Sequence, residues 1–187
     1  MVIWIVLGLV VLVLLYLMFL YNGLVRLRNR IEAAWAQIDV QLKRRHDLIP
    51  NLVETVKGYA AHEKGVFEAV TQARANAISA GASGSPEQRA QAENILTGAL
   101  RSVFAVAEAY PQLQASQNFR DLQENLTATE DKIAFARRFY NGNVRDYNTG
   151  LQTFPTNILA GMFGFTAEQY FELADAKERE APKVSFS

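Results

Sequence analysis

Apolar residues cover every face of the first 21 positions, MVIWIVLGLVVLVLLYLMFLY, and no charge interrupts them. Beyond them the pattern becomes a stripe. Leu24, Leu27, Ile31, Trp35, Ile38, Leu42, Ile49, Val53, Val56, Ala60, Phe67 and Val70 recur at spacings of three, four or seven, which predicts helix over residues 24–80. Pro50 falls inside this run. It either kinks a continuous helix, whose apolar phase survives across it, or starts a new helix after a tight turn at 47–50. The stretch GASGSP at 81–86 is the clearest break, with Ser85 as N-cap, Pro86 at N1, Glu87 in the first turn and Gln88 at the capping-box position. A helix to about Tyr110 follows, striped by Ala92, Ile95, Leu96, Ala99, Val103, Val106 and Tyr110. Pro111 ends it. Another helix is expected over 119–152, through Gly142, burying Leu122, Leu126, Ile133, Ala136, Phe139, Tyr140, Val144, Tyr147 and Leu151. The segment FPTNILAGMFGF at 154–165 is short and apolar, and Thr166 reads as the N-cap of a last short helix. No strand pattern appears. The fold class expected is all-α: one N-terminal transmembrane helix, then an up-and-down bundle of long antiparallel helices. The organisation is an anchor at 1–21, a helical bundle at 22–165, and a short helix with a tail at 166–187.

Twenty-one residues of helix span about 32 Å, enough for a hydrocarbon core of roughly 30 Å. Fifteen of the 21 are Leu, Ile, Val or Phe, and such residues favour insertion by roughly 0.3 to 0.6 kcal/mol each. Trp4 lies near one end, and Tyr16 and Tyr21 near the other, where interfacial aromatics belong. A cleaved signal peptide fits worse: no basic region precedes the run, and no small-x-small site follows it. A buried core helix would not be apolar on every face. Arg26, Arg28 and Arg30 follow the span and nothing basic precedes it. The positive-inside rule then sets the N-terminus outside and the domain in the cytoplasm, at the cell membrane, with the three arginines against lipid head groups.

The chemistry is sparse. The 187 residues hold no cysteine, which excludes disulfides, iron–sulfur clusters and cysteine-ligated zinc. Net charge is zero, so nothing suggests a nucleic-acid partner. His62–Glu63 begins like a zinc-protease motif, but Val66 stands where the second histidine is needed. His46 and His62 both read as solvated. The glycines at 81, 84 and 164 follow no strand and carry no phosphate-loop lysine. Glu124, Glu130 and Asp131 form a carboxylate cluster that a solvent-facing helix explains. Lys43, Arg44 and Arg45 form a basic run open to lipid head groups, an acidic partner or no partner at all, with lipid favoured over nucleic acid by its nearness to the span. No catalytic, cofactor or metal set emerges.

The polar residues of the 119–148 stretch are more informative. Arg137, Arg138, Tyr140, Asn141, Asn143, Arg145 and Tyr147 are interleaved with its apolar stripe. They suit hydrogen bonds between helices of one bundle, or a surface for self-association, since Arg and Tyr are enriched at interfaces. Arg137, Arg138, Tyr140, Arg145 and Tyr147, with Phe163 and Phe165 of the apolar tail, are the candidate self-association residues.

YNGLVRLRNRIEAAWAQIDVQLKRRHDLIPNLVETVKGYAAHE at 21–63 and ENLTATEDKIAFARRFYNGNVRDYNTGLQTFPTNILAGMFGF at 124–165 strongly resemble the LemA family of bacterial proteins. With the anchor, the resemblance covers nearly the whole chain. It implies one N-terminal membrane helix with a small outside segment and an α-helical bundle. It carries over no catalytic residue. The family name is shared with a sensor kinase, but no kinase or phosphoacceptor motif is present, so that role does not transfer.

The function expected is a non-enzymatic, membrane-anchored scaffold or adaptor that forms a homo-oligomer. Its partners would be membrane lipids, further copies of itself and an unnamed membrane protein. A closed ring suits it, because all anchors must cross the bilayer in one sense. The alternative is a regulatory subunit of a membrane protease or envelope-stress system.

Overall fold

The structure, a computed structural model, describes residues 1–173. Six helices and no strand make up these residues: α1 (Val2–Lys57), α2 (Lys64–Ser83), α3 (Pro86–Glu108), α4 (Pro111–Ala115), α5 (Gln117–Gln152) and α6 (Thr156–Phe163). The chain is all-α, with an N-terminal helix whose first part is long and apolar enough to cross a membrane. It divides into two compact units, Met1–Arg44 with Ala128–Tyr170, and Arg45–Thr127 with the described residues from Phe171 on. Both divisions fall inside a helix, so α1 and α5 each run through two units without a loop.

In the first unit, α1 and α5 run antiparallel. Leu24 sits beside Gly150, and Trp35 meets Tyr140 with ring centroids 5.1 Å apart. Leu24, Ile31, Ala34, Ile38 and Leu42 are buried on α1, and Ile133, Ala136, Tyr140, Val144 and Tyr147 on α5. The spacing of three, four and seven therefore marks the buried face on both helices. Phe139, expected inside, is 54% exposed. It follows buried Ala136 by three residues, but it lies on the flank of the stripe that runs through Tyr140. Helix α6 ends at Gly164, whose φ of 69° is left-handed. There the Gly164 and Phe165 amides both return to the Ala160 carbonyl, closing the helix end.

The stretch after Phe165 corrects the sequence reading. Thr166 starts no helix, and none of the described residues from 166 to 173 is helical. The remainder of that expected helix lies outside the described residues. The cause lies in α5, whose side chains take over the backbone of this stretch. The Asn148 amide donates to the Glu168 carbonyl at 2.9 Å and accepts from the Glu168 N–H at 3.0 Å. Two turns earlier, the Tyr140 hydroxyl donates to the Gln169 carbonyl at 2.9 Å. An extended chain can offer its amide and carbonyl sideways in this way; a helix uses them internally.

In the second unit, the end of α1, then α2, α3, α4 and the start of α5 enclose a core. Ile49, Leu52, Val56, Phe67, Val70, Leu96, Leu100, Val103, Leu113, Phe119 and Leu126 lie in it. The expected capping box is present: Ser85 Oγ accepts from the Gln88 N–H at 3.3 Å, and Gln88 Oε1 accepts from the Ser85 N–H at 3.1 Å. The predicted helix over 24–80 is really two. It stops at Lys57, turns through 58–63 and resumes at Lys64. Ala60 is buried inside that turn, so the apolar spacing continues where the helix does not. On α3 the expected stripe is rotated: Ile95 is 63% exposed, while Arg89, Glu93, Leu100 and Ala107 are inside.

Candidate functional site

The charged residues buried in the second unit form its most unusual feature. Arg45 and Glu93 are both wholly buried, and His46 is nearly so. Arg45 and His46 are successive residues of α1; Glu93 faces them from α3. The Glu93 carboxylate uses both oxygens: Oε2 is ion-paired with the Arg45 guanidinium, and Oε1 lies 3.0 Å from His46 Nε2. An ionised carboxylate only accepts, so Nε2 is the donor. Arg45 Nη1 also donates to Thr97 Oγ1 at 3.2 Å, and that hydroxyl donates to the Glu93 carbonyl at 2.9 Å.

Burial pushes the Glu93 carboxyl up; the His46 hydrogen bond and the Arg45 charge outweigh it, and the group settles below its ordinary value. Glu93 is therefore an ionised group held inside the protein. With no surface on Arg45 or Glu93, the cluster has no room for a substrate to reach the carboxylate. Its chemistry is that of a structural ion pair.

The same place explains Pro50. A proline at 50 has no N–H for the carbonyl of residue 46, four positions back. The Arg74 Nε from α2 donates to that His46 carbonyl at 2.7 Å. A guanidinium thus substitutes for the missing amide, and α1 continues through Pro50 to Lys57. Of the two readings of Pro50, the continuous helix is the one adopted.

These contacts correct two expectations. His46 is a buried partner of Glu93, not a solvated residue. Arg45 is withdrawn from the basic run: Lys43 and Arg44 are exposed, but Arg45 faces the core. A run of three basic residues on a helix cannot keep all three on one face. Glu93 was missed outright, because a lone carboxylate within a helical pattern carries no sign that it is inside.

The three arginines after the apolar segment lie on α1. Arg26, Arg28 and Arg30 are exposed. The Arg26 guanidinium lies 5.9 Å from the Phe19 ring and donates from Nε to the Asn22 carbonyl at 3.2 Å. Arg28 makes only a loose surface pair with Glu32 at 3.9 Å.

The candidate self-association residues separate into two groups. Arg137, Tyr140 and Tyr147 are buried within the chain, which leaves them no surface for a partner. Burial pushes the Tyr140 phenol up to about 12, with the Glu168 charge adding to it. Burial and Glu168 also raise Tyr147, against a smaller opposing effect of Arg28. Arg138, Arg145 and Phe163 are exposed, and Phe165 is half-buried. Exposed Phe135 and Phe139 flank Arg138 and line an open groove of the first unit with Gln37 and Gln41. Among the described residues, Glu124 and Asp131 are exposed and no cluster of three potential metal-ligating side chains occurs.

Fold and buried cluster together define an all-α protein with an N-terminal helix of membrane-spanning length and an ion pair locked in its core. The chain belongs to the LemA family, whose model matches residues 34–186. It is 27% identical over 179 residues to magnetosome protein MamQ 2 of Paramagnetospirillum magneticum, covering 83% of this chain and 66% of the relative. The MamQ of Magnetospirillum gryphiswaldense is 27% identical over 178 residues, 83% of this chain and 65% of that protein. Protein LemA of Metamycoplasma hominis is 30% identical over 141 residues, 74% of this chain and 63% of its own length. The chain thus spans about two thirds of the length of the curated relatives it matches.

Proposed function

We propose that this protein is a non-catalytic scaffold, anchored by residues 1–21 and self-associating in the plane of the membrane, with its helical domain on the cytoplasmic side. The observation that carries the reading is the unbroken course of α1. One helix includes the apolar segment and then supplies core residues to both units, from Leu24 to Val56. In the first unit the helix that contains the anchor is also the helix that supplies the core, with no loop between the two. That suits a part which holds position. The LemA and MamQ relatives support a role of this general kind.

For self-association, the exposed Phe135, Arg138 and Phe139 replace the buried members of the earlier set. Two phenylalanines of α5, 67% and 54% exposed, sit one turn apart. Arg138 and Arg145, seven residues apart and both exposed, lie nearly in line with each other along α5. A membrane anchor confines copies to a plane and raises their effective concentration. The one-sided arginines at 26, 28 and 30 support the cytoplasmic orientation.

Mass measurement of the intact protein in nanodiscs tests the reading. Particles holding several chains are expected, and Phe139→Glu with Arg138→Glu is expected to shift them to single chains with unchanged helical content. Single chains of the parent protein at every accessible concentration would overturn self-association. A reporter active only outside the cytoplasm, fused at the C-terminus, is expected to stay silent.

A further inference from the structure

We propose that α6, with Phe154 before it, is a second membrane contact: a short helix lying in the bilayer boundary beside the point where α1 leaves it. The inference rests on residues 1–21 spanning the membrane. Its first observation is composition. From Phe154 to Phe165 there is no charged residue. Helix α6 buries Leu159 and Ala160 on one side, yet Phe154, Ile158, Met162 and Phe163 are all exposed. The outer face of the helix is thus carried by Ile158, Gly161 and Met162, with the amide of exposed Asn157 at its flank, and water is a poor solvent for that face.

The second observation is position. Tyr21, the last residue of the apolar segment, packs edge-on against Phe163 at 4.9 Å and Phe165 at 5.6 Å between ring centroids. Tyrosine favours the level of the lipid head groups. The exposed face of α6 is therefore held at that level by direct contact with the anchor. The third observation is charge. Arg26, a little over one turn beyond Tyr21, turns back over Phe19 and bonds to the Asn22 carbonyl. A guanidinium that reaches back along the helix to the head groups marks the same boundary. An apolar surface continuous with a lipid-facing helix, at the depth where its polar collar begins, is solvated by acyl chains.

The parent chain has no cysteine, so single labels can be placed cleanly. The full-length protein is reconstituted in vesicles of phosphatidylethanolamine and phosphatidylglycerol, with a nitroxide at Ile158→Cys, Met162→Cys, Leu12→Cys or Ile95→Cys. Collisions with oxygen and with a water-soluble nickel chelate are compared. Leu12→Cys reports the anchor, and Ile95→Cys an exposed apolar site on α3. Labels at 158 and 162 are expected to show a nickel accessibility at least five-fold below that at 95, with raised oxygen accessibility. If the label at 12 is in lipid while those at 158 and 162 match the one at 95, the proposal is wrong and the anchor stands. If the label at 12 is also in water, the anchor reading itself fails. Strong spin–spin broadening at 158 and 162 would assign the face to a second copy and equally overturn the bilayer as its occupant. Two label sites with unchanged circular dichroism guard against a misfolded variant.

Discussion

Glu93 holds a negative charge away from bulk solvent, and two neighbours make that tolerable. Removing the carboxylate leaves the Arg45 guanidinium buried without its counter-ion, a loss on the order of 3–5 kcal/mol. Glu93→Ala is therefore expected to lower the unfolding free energy by about that much, measured by denaturant titration in micelles. The pH dependence has a definite sign. The folded state holds the Glu93 carboxyl below its ordinary value, so the unfolded state binds a proton first as pH falls. The stabilisation is complete above the ordinary carboxylate range and is lost as pH drops through the lower, folded value. Glu93→Gln is expected to flatten this acid limb, and an unchanged limb would show that other carboxylates dominate it. Sequence pattern revealed the neighbours of this site and not the site. Ser85 and Gln88 announce their capping box because capping is local. Glu93 owes its position to residues 47 and 48 positions earlier, and no local pattern records that.

At the scale of elements, Pro50 and the turn at 58–63 reverse what local rules suggest. The proline, a helix breaker, lies in mid-helix, and the helix ends seven residues later with only Gly58 to mark it. Arg74 decides the first case by taking the His46 carbonyl. In the second, Ala60 keeps the apolar spacing through a turn, so periodicity reads straight across. Arg74→Met should leave an unpaired carbonyl and cost about 1–3 kcal/mol. In a Pro50→Ala background the restored N–H takes that carbonyl, and the same substitution should cost clearly less. The double-mutant cycle measures this coupling; strict additivity would mean that Arg74 does not compensate for the proline. The other helices were legible at their outlines because amphipathic spacing is strong in them. On α3 the apolar spacing points Ile95 inward, whereas Arg89 and Glu93 hold the core positions.

For the molecule as a whole, the stretch at 168–169 closes the first unit by holding on to α5. Asn148 pairs with both backbone groups of Glu168. Asn148→Ala removes two hydrogen bonds of about 1 kcal/mol each. Amide exchange at Glu168 is expected to quicken at least five-fold, read by exchange mass spectrometry; unchanged protection would assign the hold to Tyr140 and packing instead. The division of the first unit between the two ends of the chain also governs its synthesis. Leu24 and its neighbour Gly150 are separated by 126 positions. At about 5–20 residues per second, roughly 6–25 seconds pass on the ribosome between making one and making the other. During that interval the apolar side of α1 from Leu24 to Leu42 has emerged, and α5 has not. Helices α2 and α3 are finished meanwhile, so most of the second unit has been made before the first unit receives its second helix. A newborn chain thus spends those seconds with the apolar seam of α1 uncovered, before the helix that will cover it exists.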